Sequence, residues 1–194
     1  MPPKAKFTRE EIIAAALDIA RKNGIEAVTA RELGNVLNSS ARPIFTVFTN
    51  MDEVISEVLK AARDLYNEYV QEGLKETPAF KGVGMSYIKF AMHEEKLFQL
   101  LFMREQEEVK DIDNVLEAID ENYEIILESV KDLYNLSDDE ALGLYQNIWI
   151  YTHGIATLCA TKVCNFTEEE VSRMLTEVFT GLLIKIKKDA HSDK

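Results

Sequence analysis

Residues 29–48 read TARELGNVLNSSARPIFTVF, and the way this stretch folds sets the class of the whole chain. Its opening, Thr29-x-x-Glu32, is a helix start in which the threonine hydroxyl accepts from an early backbone N–H and the glutamate reaches back to the cap. Leu33 and Leu37 follow four residues apart, and Asn38-Ser39-Ser40 is small and polar, as a tight turn requires. The end of the stretch reads two ways. Ile44-Phe45-Thr46-Val47-Phe48-Thr49 is β-branched and aromatic, which by propensity alone is a strand. A lone strand leaves its backbone groups unpaired, however, and no second segment offers it a partner. Ile44 and Phe48, at i and i+4, instead share one face of a short helix. The stretch is therefore expected to form two short helices joined by a turn. Small Gly34 sits where they cross, and Leu33, Leu37, Ile44 and Phe48 close a small core beneath them.

Outward from this stretch, the same helix start recurs at Thr8-x-x-Glu11, Asn50-x-x-Glu53, Ser137-x-x-Glu140 and Thr167-x-x-Glu170. Behind Thr8, apolar Ile12, Ala15, Ala16, Ile19 and Ala20 repeat at helical spacing until Gly24 supplies a stop. From Met51 a long helix to about residue 76 carries Val54, Ile55, Val58, Leu59, Ala62, Leu65, Tyr66 and Tyr69 on one broad face. Residues 80–103 read as two shorter helices hinged near His93-Glu94-Glu95. Residues 113–135 read as one amphipathic helix ended by Asn135-Leu136-Ser137. The last two helices start at Ser137 and Thr167, the final one with a seam of Val171, Leu175, Val178, Leu182 and Ile186. No proline falls after Pro78, which suits long uninterrupted helices. The expected class is all-α, with a three-helix N-terminal domain over residues 1–50, a connector helix over 51–76, and a helical domain over 51–194.

The chain has 194 residues, 46% of them apolar, enough to bury a core and to exclude a disordered chain. With 22 basic against 34 acidic residues the net charge is −12. Taken globally, that argues against a protein that coats nucleic acid or anionic membrane. The charge is unevenly spread: residues 1–50 hold seven Lys/Arg against five acids, a balance of +2, and the remainder carries −14. Residues 141–161 contain no charged side chain, but Gln146, Asn147, Thr152, His153, Thr157 and Thr161 suit a helix buried among helices better than one facing lipid. No membrane association is expected. The start MPPKAKFTREE lacks an apolar leader, and Cys159 and Cys164 are spaced as free thiols rather than as a zinc or redox pair. A reducing, cytoplasmic setting is expected. Catalytic signals are weak. His93, His153 and His191 have no ligand partner at i+3 or i+4, and no phosphate-binding glycine loop occurs. The acidic runs read as helix-start charges. No enzyme activity, metal or cofactor is expected.

The N-terminal pattern resembles the tetracycline-repressor family of transcriptional regulators. The matching features are the capped first helix ending at Gly24, Thr29-x-Arg31-x-Leu33, Ile44-Phe45-x-x-Phe48, and Asn50-x-Asp52-Glu53. Downstream, Trp149-x-x-x-His153-Gly154 is similar to a C-terminal domain variant named for a Trp-His-Gly signature. Tyr87-Ile88-x-Phe90-Ala91 and Leu97-Phe98-x-Leu100-Leu101-Phe102-Met103 precede it. The resemblance implies a helix-turn-helix whose third helix enters the major groove of operator DNA. Ser39, Ser40, Ala41, Arg42, Phe45 and Thr46 are then the groove candidates, with Thr29 and Arg31 on the backbone. Arg42 suits guanine O6 and N7. Asn38, Val47 and Met51 depart from the glycine, aromatic or histidine, and lysine common in the family. These departures imply either a lower DNA affinity or compensation by tail lysines Lys4 and Lys6 reaching a groove or backbone.

For the C-terminal domain the resemblance implies binding of a small-molecule effector and a homodimer through the last two helices. The candidate pocket residues are Phe90, Phe98, Phe102, Met103, Tyr123, Tyr145, Trp149 and His153. The expected function is a dimeric repressor released from its operator by an inducer, with the 51–76 helix as the transmitter. The alternative is a helical interaction protein or co-regulator that has weak or lost DNA binding.

Overall fold

The computed structural model describes residues 6–105 and 110–192, of which Asp113 and residues 190–192 are described by their backbone only. Nine α-helices occur among the described residues: α1 (Arg9–Asn23), α2 (Ala30–Val36), α3 (Met51–Leu74), α4 (Ala79–His93), α5 (Glu95–Phe102), α6 (Ile112–Ile119), α7 (Tyr123–Tyr134), α8 (Asp138–Ala160) and α9 (Glu168–Ser192). The all-α expectation is met. All five predicted starts act as caps. The Thr8 hydroxyl accepts from Glu11 N while Glu11 accepts from Thr8 N, and reciprocal pairs recur at Ser137/Glu140 and Thr167/Glu170. Thr29 accepts from Glu32 N. At α3 the Asn50 amide oxygen accepts from Glu53 N at 2.9 Å, and the Glu53 carboxylate reaches one residue further back, to Thr49 N at 2.7 Å.

The helix expected over 113–135 is two. Asp120 ends α6, and its carboxylate accepts from both the backbone N–H and the side-chain amide of Asn122, at 2.9 and 3.1 Å. This local turn offers the backbone an alternative to helix. Both side chains are buried. A second difference concerns the segment after the N-terminal turn, which is helical as expected but only a single 3-10 turn, Ile44–Thr46. Pro43 has no N–H to give, and bonds from Ile44, Thr46 and Val47 each close over three residues. Ile44 and Phe48 are both buried, as their spacing required.

The chain divides into two compact units, Met1–Tyr66 with Glu94–Arg104, and Asn67–His93 with Glu105–Lys194. The first unit thus holds more than residues 1–50: it takes α3 up to Tyr66 and the whole of α5. The packing explains why. Arg9 on α1 binds Glu53 and Glu57 on α3 at 2.8 and 2.9 Å and lies 4.3 Å above the Phe48 ring. Arg21 forks onto Glu94, whose side chain is 95% buried. Tyr66 meets Phe102 edge-on at 4.9 Å, and Phe102 meets Phe98 at 5.2 Å. Each fully buried valine on this face of α3, Val54 and Val58, contributes about 1.5–3 kcal/mol by leaving water.

In the second unit α3 ends against α4 at Gly73 and Gly82. A Cβ on Gly82 would lie 2.2 Å from the Gly73 carbonyl oxygen, so only glycine permits this approach of the two backbones. Residues 141–161 belong mostly to α8, whose Ala141, Leu144, Ile148, Thr152, Ile155 and Ala156 are buried. Among the described residues no helix is long and apolar enough to cross a membrane. Cys159 is buried and Cys164 exposed, both as free thiols.

Candidate functional site

The turn between α2 and the 3-10 segment is built on two backbone requirements. Asn38 has φ +48°, a left-handed conformation that asparagine tolerates. Gly34 lies under the turn, where an added Cβ would stand 2.9 Å from Ser39 O and 3.2 Å from Ala41 N. The Ser39 N–H returns to Gly34 O at 2.8 Å and closes the turn. Ser40, Arg42, Phe45 and Thr46 are exposed on this edge, Phe45 to 46% although it is aromatic, while Ser39 and Ala41 are half-buried. The Lys6 ammonium donates to Ser39 Oγ at 3.0 Å, bringing the tail to the same edge. Lys4 lies outside the described residues. Thr29 and Arg31 are exposed at the start of α2, Thr29 as its cap. The Thr46 hydroxyl is committed to Pro43 O at 2.6 Å.

The eight pocket candidates are divided between the two units. Phe98, Phe102 and Met103 belong to the first unit, the two phenylalanines in its aromatic cluster and Met103 exposed. The other five lie in the second unit. There Phe90 is fully buried against Tyr69. Tyr123 stacks on Tyr145 at 5.9 Å, and Trp149 on His153 at 5.3 Å. A 2.9 Å hydrogen bond joins His153 Nδ1 to the Tyr87 hydroxyl. Burial holds His153 below its ordinary pKa. It also pushes Tyr87 and Tyr145 above theirs, with the charge of Asp120 as the next cause for both. Asn122 extends this polar core to α3 by accepting from Gln71 and donating to Asn67.

Two cavities of the second unit lie elsewhere. One, of 290 Å³, lies among α4, α7, α8 and α9 and has Phe80, Ile148, Leu175, Phe179 and Leu183 as apolar walls, with Lys81, Gly84 and Tyr134 at its edges. The other, of 450 Å³, is a polar cleft whose lining includes Glu76, Lys81, Lys89, His93 and Glu168. None of the eight candidates lines either one.

Residues 80–182 match the family model described as tetracyclin repressor-like, C-terminal domain. The chain belongs to the tetracycline-repressor-like family. That family is one of transcriptional regulators, and it is generally non-enzymatic. No curated protein matches the chain significantly. The matched domain of this tetracycline-repressor-like chain contains most of the apolar cavity, including Phe80, Lys81, Gly84, Ile148, Leu175 and Phe179. Sequence reasoning missed these residues because the aromatic-rich motif points to Trp149 and His153, one and five residues past Ile148 on α8. A usable signal was present: Phe80, Lys81 and Gly84 recur at helical spacing across the start of α4 and set a ring, a charge and a gap side by side. Arg9 and Arg21 were also unremarked. Each is paired with carboxylates inside the first unit.

Proposed function

We propose that this protein is a dimeric, DNA-binding transcriptional repressor that leaves its operator when a small molecule occupies the C-terminal domain. The observation that carries the DNA-binding half is the exposed edge at the N-terminal turn. Lys6 is bonded to Ser39 there, and Arg42, Phe45 and Thr46 stand free of the core beside them. This edge belongs to residues 1–50, whose balance is +2 against −14 for the remainder, so the net charge of the rest of the chain opposes approach of phosphate by other faces. Arg42 has the fork for a guanine edge, and exposed Phe45 suits a thymine methyl. Thr29 and Arg31 at the α2 start suit phosphate contact.

The effector half rests on the apolar cavity inside the matched domain. Dimerisation is supported by the outer faces of the last two helices. Gly143, Ile150, Gly154 and Leu158 share one face of α8, with Ile150 53% exposed and nothing within 4 Å of a Cβ on either glycine. Gly181 and Ile184 make a matching face on α9. For release, α3 is the candidate transmitter, since it is the only helix among the described residues that passes from one unit into the other. A bound dimer sets its reading segments about 34–36 Å apart, and a ligand that favours another spacing lowers DNA affinity.

The test is footprinting of the purified chain on the DNA flanking its own gene, repeated with Arg42→Ala. A protected two-fold site is expected, weakened by Arg42→Ala by about 1–3 kcal/mol. Absence of salt-sensitive protection would favour the co-regulator reading, for which the short 3-10 reading segment and Met51 in place of a lysine are the motive.

A further inference from the structure

The 290 Å³ cavity has an unusual charge balance. Among its described lining residues Lys81 is the single charged group, and there is no carboxylate, in a chain where acids outnumber bases by 34 to 22. Lys81 is half-buried, and among the described residues it has no hydrogen-bond or ion-pair partner. The walls around it are rings and branched aliphatic chains, Phe80, Phe179, Leu175, Leu183 and Ile148. The nearby Thr176 hydroxyl is already committed to Ser172 O at 2.7 Å. Lys81 also lines the polar cleft that holds Glu76 and Glu168 but forms an ion pair with neither, and an ammonium left unpaired at the edge of an apolar cavity is stabilised by a ligand that brings a counter-ion.

A second polar atom lies behind Gly84. Thr152 is 97% buried, and its hydroxyl has no hydrogen-bond partner. It stands 3.9 Å from where a Cβ on Gly84 would be, so the missing side chain at this lining residue leaves only a short gap between the cavity and the hydroxyl. Lys81 and Gly84, one turn apart on α4, therefore border the same space.

We propose that this cavity takes a small amphipathic carboxylic acid. Its carboxylate pairs with the Lys81 ammonium, and its apolar body lies against Phe80, Phe179 and Leu175. At roughly 30 Å³ for each water-sized group, the volume admits on the order of ten non-hydrogen atoms. The assignment rests on the regulator reading only for its consequence, since binding itself is measured without DNA.

The experiment is calorimetric titration of the full chain with octanoate and with octanamide, its neutral counterpart of equal size. Octanoate is expected to bind at least tenfold more tightly, and Lys81→Gln to bring the two to the same affinity while leaving the thermal melt unchanged. Gly84→Ala, which fills that gap, is expected to weaken octanoate several-fold. Equal affinities, no binding of either compound, or a preference that survives Lys81→Gln would each overturn the assignment. So would octanoate binding that competes with self-association, because a second copy of the chain would then be the occupant. A parallel measurement of operator affinity separates the two readings. Lysine-dependent octanoate binding with unchanged DNA affinity removes the proposed induction and keeps the site. Intact DNA binding with indistinguishable octanoate and octanamide removes only the ligand class.

Discussion

Two glycine-to-alanine substitutions within helices of this chain are expected to have opposite signs, and the difference can be worked from the space around each. Alanine is favoured over glycine in a helix interior by about 0.8–1.0 kcal/mol, because glycine loses more backbone freedom on folding. At Gly84 in α4 the new Cβ would meet Leu175 Cδ1 at 3.4 Å, an ordinary contact with the movable end of a side chain. The propensity gain survives there, and Gly84→Ala should raise the melting temperature by roughly 2–4 °C. At Gly34 in α2 the new Cβ would stand 2.9 Å from Ser39 O and 3.2 Å from both Ala41 N and Ser40 C. All three are backbone atoms of the turn, which cannot rotate aside. Overpacking of this kind costs about 1–3 kcal/mol, which outweighs the gain. Gly34→Ala should therefore melt below the parent chain. It should also lose operator affinity beyond what its lost stability explains, because Ser39, Ser40 and Arg42 move with the turn. Circular dichroism melts of the two variants and fluorescence anisotropy with operator DNA provide the comparison. If Gly34→Ala melts as high as Gly84→Ala, the close approach of α2 to the turn is not the reason glycine stands there.

Three further outcomes follow from charge. Lys6→Gln, which removes the ammonium held at Ser39, should lower the slope of log affinity for DNA against log salt by about one and weaken binding evenly across sequences; an unchanged slope would show that this lysine does not reach phosphate. The second outcome concerns pH. Burial keeps His153 below its unfolded value of 6.5, so on acidification the unfolded chain takes up a proton that the native chain declines. Stability should thus fall as pH drops below 6.5, and His153→Gln should remove that dependence in urea titrations between pH 7 and 5. A separate loss is expected further into acid. Glu53, Glu140 and Glu170 accept from the backbone N–H groups of Thr49, Ser137 and Thr167, which holds each below the usual 4.5. Their contribution is present above 4.5 and is lost as they are protonated in the native state below it.

The apolar cavity and the exposed edge at the N-terminal turn differ in how far the linear chain announced them. Ser39, Arg42 and Phe45 could be placed on one edge from sequence, because a turn and a buried i, i+4 pair, Ile44 and Phe48, leave the intervening side chains only one way to point. The length of the helical segment after the turn could not, since an α-helical start and a single 3-10 turn at Pro43 both bury Ile44 and Phe48. Phe98 and Phe102 carried the right composition for a pocket and instead pack with Tyr66 in the first unit. Composition does not distinguish a ring that lines a cavity from one that fills a core.

The chain alone determined what is local. Five caps, the stops at Gly24 and Asn135, the all-α class and the inward face of α3 are set by groups within a few residues of one another, so their spacing suffices to read them. Only the tertiary structure decided which distant groups meet. Arg9 joins Glu53 and Glu57, Arg21 joins Glu94, Tyr87 joins His153, and Lys81 is left unpaired between an apolar cavity and the cleft that holds Glu76 and Glu168. Each of these depends on which helix faces lie together across many tens of residues. That choice is made by burial and backbone approach, as at Gly73 and Gly82, and leaves no periodic mark in the sequence.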